Sequence, residues 1–284
     1  MKIDLHTHST ASDGSLAPAE LLQLAYAKGV SVLALTDHDT LAGYFVARRW
    51  LDSSSGKDTP LTLVPGVEIS TQWGRQGIHV LGLNVDPQHA RLADLLNDQQ
   101  RCRAIRAAKM ASKLEKLGMP GVQLHLDEHV DDATQIGRPH IANGLVALGY
   151  VENVEQAFKK YLGNGKPADV RLDWAALPDV VEAISSANGI AVLAHPAKYK
   201  MTATKLRALL ADFARAGGRG IELVSGAQTS DTTKVLTRLA EQFDLLLSCG
   251  SDFHSPESRW QSLGEFPSLP KSSKVVWQEW NLSI

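Results

Sequence analysis

The sequence contains little cysteine, no long apolar run and almost no net charge. Only two of its 284 residues are cysteines, Cys102 and Cys249, and they stand far apart in no metal-binding or redox spacing. This usage is typical of a reducing compartment, and it leaves histidines and carboxylates as the side chains that could hold a metal. No apolar stretch approaches the ~20 residues that cross a bilayer. We therefore expect a cytoplasmic protein that does not bind a membrane.

Neither sign of charge dominates, because 29 basic residues nearly balance 31 acidic ones and the formal net charge is -2. No global positive surface predicts binding to duplex nucleic acid, and any site for a polyanion has to be local. The sequence has neither a Walker-type glycine loop nor an evident nucleophilic triad. With 44% hydrophobic and 21% charged residues, the composition is that of one large globular domain, or of one domain with an insert.

Short apolar runs alternate with helical patterns over much of the chain, which indicates βα units around a parallel sheet or barrel. Helices are predicted near 18–28 and 41–51. About seven strands are predicted: 3–5, 32–35, 62–64, 79–83, 189–194, 220–224 and 245–248. The alternation stops from 99 to 166, where the pattern is mostly helical. We predict a barrel formed by 1–98 and 167–284, with a helical insert over 99–166.

Histidines and carboxylates stand at or just after the ends of these strands. His6 and His8 end the first one, and residues i and i+2 of a strand share a face, so both can bind one ion. A βα barrel gathers its active site at the carboxyl ends of its strands. The comparable positions along the chain carry the remaining candidates: Asp13, His38, Glu68, His79, His195, Asp252 and His254.

Taken singly, a histidine at a strand end is more often a hydrogen-bonded structural residue, and a carboxylate there can cap a helix. Six of the ten histidines together with three carboxylates are not explained in this way, because unpaired buried charges each cost several kcal/mol. We therefore predict a metal centre. Asp37 and Asp39 are better explained as partners of the ligands or as helix caps.

Five motifs resemble those of the polymerase and histidinol phosphatase (PHP) superfamily: Asp4-Leu5-His6-Thr7-His8-Ser9, Thr36-Asp37-His38-Asp39, Pro65-Gly66-Val67-Glu68, His195-Pro196 and Gly250-Ser251-Asp252-Phe253-His254. The resemblance implies a distorted (β/α)7 barrel with two or three divalent ions. It implies one ion held by His6, His8, Glu68 and Asp252, a second bridged by Glu68 and held by His79 and His195, and a third held by Asp13, His38 and His254. Metal-dependent amidohydrolases also begin with His-x-His but usually end in a lone Asp, so amide hydrolysis is the weaker interpretation.

Nitrogen and carboxylate ligands without thiolate suit Mn, Zn or Fe(II), and the resemblance favours Mn. Three divalent ions would bring six positive charges, and the three carboxylates would offset only three of them. The remaining positive charge favours an anionic phosphate ester over a neutral amide as substrate. We expect in-line displacement at phosphorus by a metal-bridging hydroxide held by Glu68, without a protein nucleophile.

The predicted insert carries candidate phosphate-binding residues. Arg138 precedes Pro139, which can occupy the first turn of a helix, and a helix N-terminus beside an arginine favours phosphate binding. Arg101 and Arg103 add positive charge, although a solvated helix face explains either of them alone slightly better. We predict that the insert forms a lid on the substrate, with Arg138, Arg101 and Arg103 as substrate-binding residues.

The insert also resembles one PHP subgroup, through Gly137-Arg138-Pro139-His140-Ile141-Ala142 and Tyr161-Leu162-Gly163-Asn164-Gly165-Lys166. This resemblance implies removal of the 3′-phosphate from nucleoside 3′,5′-bisphosphates, for example adenosine 3′,5′-bisphosphate to AMP. A 5′-to-3′ exoribonuclease acting on short 5′-phosphorylated RNA and a histidinol-phosphate phosphatase are the alternatives among enzymes. The alternative from another class is a metal-binding module without activity. No obligate protein partner is evident.

Overall fold

The computed structural model describes residues 1–53, 56, 59–130, 132, 135–171, 174–258, 260–270 and 273–280. Within them the chain divides into two compact units, which we call the barrel unit (Met1–Leu96 and Ala175–Ile284) and the helical unit (Asn97–Trp174). None of the helices in these ranges combines the length and the hydropathy that a bilayer crossing needs.

Seven strands of the barrel unit form one sheet in which sequential strands are neighbours: β1 (Ile3–Thr7), β2 (Val32–Leu35), β3 (Thr62–Trp73), β4 (Gln76–Leu83), β5 (Ile190–Leu193), β6 (Gly220–Ser225) and β7 (Leu246–Gly250). Each contains or overlaps one of the predicted apolar runs. The pairs are parallel except that β4 runs antiparallel to both β3 and β5. The sheet is the nearly closed, distorted (β/α)7 barrel that the sequence predicts.

The hairpin between β3 and β4 departs from simple βα alternation. Trp73 pairs with Gln76 across a two-residue turn whose first residue, Gly74, has φ of 58°, a conformation that glycine adopts without strain. β3 therefore continues well beyond the predicted run. As a consequence, Glu68 lies inside a strand rather than after one, and His79 lies near the beginning of an antiparallel strand.

The first and last strands meet and nearly close the sheet. The His8 N–H donates to the Phe253 carbonyl and the Asp252 N–H donates to the His6 carbonyl, both at 2.9 Å. Gly250 permits this approach, because a Cβ there would lie 2.4 Å from the His6 Cβ. Register shifts within β1 and β6 mark bulges, which are frequent beside active sites.

Helices cover the outside of the barrel unit: α1 (Pro18–Ala27), α2 (Ala42–Asp52), α7 (Leu177–Ser186), α8 (Ala203–Arg215) and α9 (Ser230–Gln242). Apolar residues of β1, β2, β4 and β5, such as Leu5, Val32 and Leu83, form a buried cluster with Val276 and Trp280, in and just after a 3₁₀ turn near the C-terminus. Burial of these side chains supplies the main driving force that holds the strands around the site.

The helical unit has its own core. Its helices are the larger part of α3 (Ala90–Lys116), then α4 (Val122–His129), α5 (Arg138–Ala147) and α6 (Val154–Ala157), which runs into a π-helical turn (Phe158–Leu162). The helical unit extends beyond the predicted insert over 99–166. Ala168 and Val170 are buried in this same core, and the compact unit reaches Trp174. The irregular segment after Lys166 carries no helical pattern, so the sequence did not reveal that it packs here.

A candidate metal centre

The structure brings all nine predicted side chains together at one end of the barrel. His6 lies on β1, and His8 and Asp13 follow that strand. His38 follows β2, Glu68 lies on β3, and His195 follows β5. Asp252 and His254 follow β7. His79 belongs to β4, whose antiparallel direction brings its beginning to the end where the parallel strands finish.

The most buried group consists of His6, His8, Glu68 and Asp252. The His6 and His8 Nε2 atoms lie 3.1 Å apart, and each is 3.2 Å from Glu68 Oε2 and 3.4 Å from Asp252 Oδ1. Ligands about 2.0–2.2 Å from a shared ion lie roughly 3 Å from one another. The donor atoms therefore fit a divalent ion, with two nitrogens and two oxygens directed at one point.

Glu68 contacts histidines through both of its carboxylate oxygens. Oε1 lies 2.8 Å from His79 Nδ1 and 2.8 Å from His195 Nε2, whereas Oε2 lies 3.1 Å from His38 Nδ1 and belongs to the group described above. A carboxylate in this position can bridge two ions.

Asp13 stands at the centre of a more exposed group. Its Oδ1 is 3.4 Å from His254 Nε2 and 3.7 Å from His8 Nδ1, and its Oδ2 is 3.7 Å from His38 Nε2. Because His8 and His38 also contact Glu68, the three groups form one continuous cluster.

The electrostatics of the cluster favour bound cations. Burial by itself would raise the pKa of Glu68, Asp13 and Asp252, but the surrounding histidines outweigh it and hold all three well below the ordinary range. Burial likewise opposes protonation of His8, yet Asp252 and Glu68 raise its pKa to about 10. The three carboxylates are thus ionised and draw positive charge into a buried site, which divalent ions would supply.

Glu222 is a residue of the site that the sequence did not reveal. It is buried in β6, its Oε1 lies 3.0 Å from His6 Nδ1, and its Oε2 accepts the His195 N–H at 2.6 Å. A carboxylate on Nδ1 orients the ring and leaves Nε2 as the ligand atom. The available signal was a single acidic residue inside the apolar run of 220–224.

Asp37 and Asp39 support the ligand loops rather than a helix end. Asp37 accepts the Ser9 N–H and hydroxyl, both at 2.8 Å, and the Ser12 hydroxyl at 2.6 Å. Asp39 accepts the N–H and hydroxyl of Ser70 at 2.7 and 2.9 Å. Of the two predicted roles, the structure selects partners of the ligand segments, since the residue at the start of α2 is Leu41.

Lys198 and Tyr199 also reach the cluster, from the turn that follows His195. The Lys198 ammonium contacts Asp252 Oδ2, and the Tyr199 hydroxyl accepts the His79 N–H at 2.8 Å. Neither residue belongs to the His195-Pro196 motif, so the sequence did not indicate them. Lys198 is 40% exposed, so its positive charge remains accessible beside the predicted ligands.

In the helical unit, arginines gather around Trp174. Arg103 and Arg106 lie 5.8 and 5.9 Å from the centre of the Trp174 ring. Burial lowers the pKa of Arg106 to about 10, and the nearby charges of Arg138 and Arg103 act in the same direction. Arg106 was not predicted, whereas the predicted Arg101 is exposed and pairs with Asp98 at 3.0 Å.

Arg138 begins α5, as its position before Pro139 predicts. Its guanidinium donates to Asn164 Oδ1 at 3.0 Å and lies 5.9 Å from the centre of the Phe158 ring. The Asp169 carboxylate lies 3.8 Å from the Arg106 guanidinium. We call Arg103, Arg106 and Arg138 the arginine group.

The chain is similar to known proteins over most of its length. Residues 4–223 match the family model described as "PHP domain". The chain is 45% identical to a 5′-3′ exoribonuclease from Haemophilus influenzae, over 98% of both chains. It is 38% identical to a 3′,5′-nucleoside bisphosphate phosphatase from Chromobacterium violaceum, over 98% of this chain and 95% of the other.

One solved structure is similar throughout. It is described as an amidohydrolase from Chromobacterium violaceum with bound sulfate and no metal, and it superposes with a TM-score of 0.90 at 38% identity, covering 98% of this chain and 95% of that one.

Proposed function

This chain belongs to the PHP domain family and is a metal-dependent phosphoesterase, and we propose that it removes the 3′-phosphate of nucleoside 3′,5′-bisphosphates. The observation that carries the proposal is the cluster of nine histidine and carboxylate side chains, each with a ligand atom within 3.4 Å of another member. The relative named a 3′,5′-nucleoside bisphosphate phosphatase supports the choice of substrate.

We propose that the nine predicted ligands form three groups. His6, His8, Glu68 and Asp252 would hold one ion, and Glu68 would share a second with His79 and His195. Asp13, His38 and His254 would hold a third. When bound, divalent ions there polarise a phosphoryl oxygen and lower the pKa of a coordinated water to about 7. The donor set suits Mn, with Zn and Fe(II) as alternatives.

The chain's own residues prepare the site for a phosphate dianion. Glu222 keeps the His6 ring oriented with Nε2 directed into the cluster. The Lys198 ammonium, in contact with Asp252, adds a positive charge that would attract a phosphoryl oxygen. Sulfate bound to the similar structure is a tetrahedral dianion of the same charge as a phosphomonoester.

The arginine group supports a substrate with a second phosphate. Two guanidiniums lie over the Trp174 ring and the third lies over the Phe158 ring, so three positive charges are held close together on aromatic surfaces. Arginine binds phosphate through paired N–H groups. We propose that Arg103, Arg106 and Arg138 bind the phosphate that is not hydrolysed.

Exoribonuclease activity on 5′-phosphorylated RNA is the second candidate. The observation that favours it is the 45% identity to the Haemophilus influenzae exoribonuclease, over 98% of both chains. A terminal 5′-phosphate would use the same arginine group, so both activities are compatible with one set of residues.

A substrate panel tests the proposal. Purified protein is freed of metal with a chelator, reloaded with Mn, and assayed for phosphate release from a nucleoside 3′,5′-bisphosphate and for nucleotide release from a 5′-phosphorylated oligoribonucleotide. We expect Mn-dependent release of phosphate from the bisphosphate, abolished by chelation. Turnover of the oligoribonucleotide alone would reject the phosphatase and establish the second candidate. Turnover of neither substrate would reject both.

A further inference from the structure

A cavity of about 380 Å³ lies beside the β3–β4 hairpin of the barrel unit and has no part in the function proposed so far. Its lining combines an aromatic ring with three cations: Trp73, Arg75, Gln76, Lys200, Met201 and Lys205. The lining includes no carboxylate. Such a combination is typical of surfaces that bind single-stranded nucleic acid, where cations neutralise phosphates and a base stacks on an aromatic ring.

The three cations of this cavity are unpaired. Arg75, Lys200 and Lys205 are exposed, and within the described residues none of their side chains forms an ion pair. The acidic residue beside the cavity is Asp212, which already accepts Trp73 Nε1–H at 2.7 Å and Arg215 at 2.7 Å. Within the described part of the chain no carboxylate pairs with these cations, so their positive charge remains available to an anion.

Trp73 presents a fixed surface to the cavity. Its indole N–H is bound to Asp212, and the ring packs against the core that α8 covers. Because the ring is already ordered, stacking a base on its exposed part would cost little further conformational entropy.

Short chain segments connect both walls of the cavity to residues of the metal centre. The hairpin carries Glu68 on β3 and His79 on β4, and Gln76 lies three residues before His79, a distance of roughly 10 Å along the strand. Lys200 directly follows Tyr199, whose hydroxyl is bonded to the His79 N–H. A chain with one phosphate at the cluster could thus place its next nucleotides at this cavity.

We propose that this cavity, which we call the hairpin cavity, binds the sugar-phosphate backbone of single-stranded RNA beyond the phosphate held at the metal centre. Arg75, Lys200 and Lys205 contact phosphates and Trp73 stacks on a base. This proposal rests on the proposed function, which supplies a nucleotide as the substrate. It extends the second candidate, exoribonuclease activity, by adding a binding site that a mononucleotide does not need.

The test separates binding from hydrolysis. Affinity for a fluorescent 5′-phosphorylated oligoribonucleotide is measured by anisotropy in a chelator, where no turnover occurs, across a series of salt concentrations. The variant Arg75→Gln/Lys205→Gln is compared with Arg49→Gln/Arg238→Gln, which removes the same charge from exposed positions of α2 and α9.

We expect the hairpin-cavity variant to bind about 10-fold more weakly, with a log–log salt slope less steep by about 1 to 1.5, because each phosphate contact on a single strand contributes about 0.7. The control should bind as the wild type does. Equal losses in both variants, no loss in either, or no binding by the wild type would overturn the proposal. So would equal competition by polyglutamate, which would indicate an acidic peptide.

Activity on a nucleoside bisphosphate distinguishes failure of this proposal from failure of the proposed function. The hairpin-cavity variant should hydrolyse the bisphosphate at the wild-type rate, because a mononucleotide does not reach the cavity. Wild-type protein that binds RNA through the hairpin cavity but hydrolyses neither substrate would leave this site standing and remove the proposed function.

Discussion

At the scale of single residues, Glu68 links the whole cluster. Its two oxygens contact His6, His8 and His38 on one side and His79 and His195 on the other. A buried carboxylate surrounded by five rings would be costly without counter-charge. Cations that share it, as we propose, would supply that charge, so we expect Glu68 to be the least replaceable side chain of the site.

Glu222 contacts the Nδ1 atom of His6 at 3.0 Å and would act on a bound metal through that ring. We predict that Glu222→Gln lowers the affinity for Mn about 10- to 100-fold, because the His6 ring loses the charged acceptor that orients it and raises its basicity. Calorimetric titration of chelator-treated protein with Mn measures the change. Glu241→Gln, an exposed position on α9, is the matched control, and equal affinities of the two variants would contradict this role.

Arg138 belongs to the arginine group that we propose for the second phosphate. We predict that Arg138→Ala raises KM for a nucleoside 3′,5′-bisphosphate about 10-fold or more, the effect of losing a charged hydrogen bond, and leaves KM for an aryl phosphate nearly unchanged. Steady-state kinetics on both substrates measure this. Lys109→Ala removes a charge from an exposed position of α3 and should affect neither. Equal increases for both substrates in Arg138→Ala would reject its role as second-phosphate anchor.

At the scale of elements, strand direction decides which side chains reach the site. Parallel strands end at the site, so a strand in the common βα pattern would place only its last residues there. The tight turn at Gly74 and Arg75 reverses the chain instead. Glu68 and His79 therefore approach from two adjacent strands, and the tip of the same hairpin forms one wall of the hairpin cavity.

Helix α2 packs closely against the network that supports the ligand loops. A Cβ on Gly43 would lie 2.1 Å from Asp37 Oδ2 and 2.8 Å from Ser9 Oγ. We predict that Gly43→Ala lowers the free energy of unfolding by about 1–3 kcal/mol, although glycine to alanine in an open helical position is stabilising by ~0.5–1 kcal/mol.

Urea denaturation measures the effect of Gly43→Ala. The control is Gly77→Ala on β4, where a Cβ would meet no atom within 4 Å, and this variant should unfold near the wild-type midpoint. If the two variants are equally stable, α2 does not depend on the close approach to Asp37.

At the scale of the whole molecule, barrel closure brings together residues that are about 250 positions apart in the chain. Hydrogen bonds between the segments of His6 and Asp252, and between those of His8 and Phe253, hold β1 beside the end of β7. Ordering these distant segments costs loop entropy, which burial of the strands' apolar side chains offsets. Whether the histidines and carboxylates that meet here repel or attract one another depends on the charge that is bound between them.

Metal should therefore stabilise the entire barrel unit. We predict that Mn at about 100 times its dissociation constant raises the free energy of unfolding by ~2.7 kcal/mol for each occupied site, since the unfolded chain does not assemble the ligands. Thermal melts of chelator-treated and Mn-saturated protein measure this. The shift should shrink in Glu68→Gln. Identical midpoints with and without Mn would show that the cluster does not bind the ion.

The resemblance to the PHP superfamily supplied the barrel class, whereas the sequence pattern indicated about seven strands, their alternation with helices and the residues that meet at one end of the sheet. These follow from local patterns: apolar period, motifs at strand ends and the types of side chain that bind metals. His6, His8 and Asp252 were recognisable because each stands in such a motif. Their role as ligands stays a prediction, although the structure places them together.

Tertiary packing sets the reversal of β4, the extent of the helical unit to Trp174, and the contacts of Glu222, Lys198 and Arg106. Each of these depends on partners far away in the chain: Glu222 is an isolated acidic residue in a strand until His6 lies 3.0 Å from it. A local pattern reports which face of an element is buried, whereas the partner of a buried charge is set by how the elements pack, and packing is a property of the whole chain.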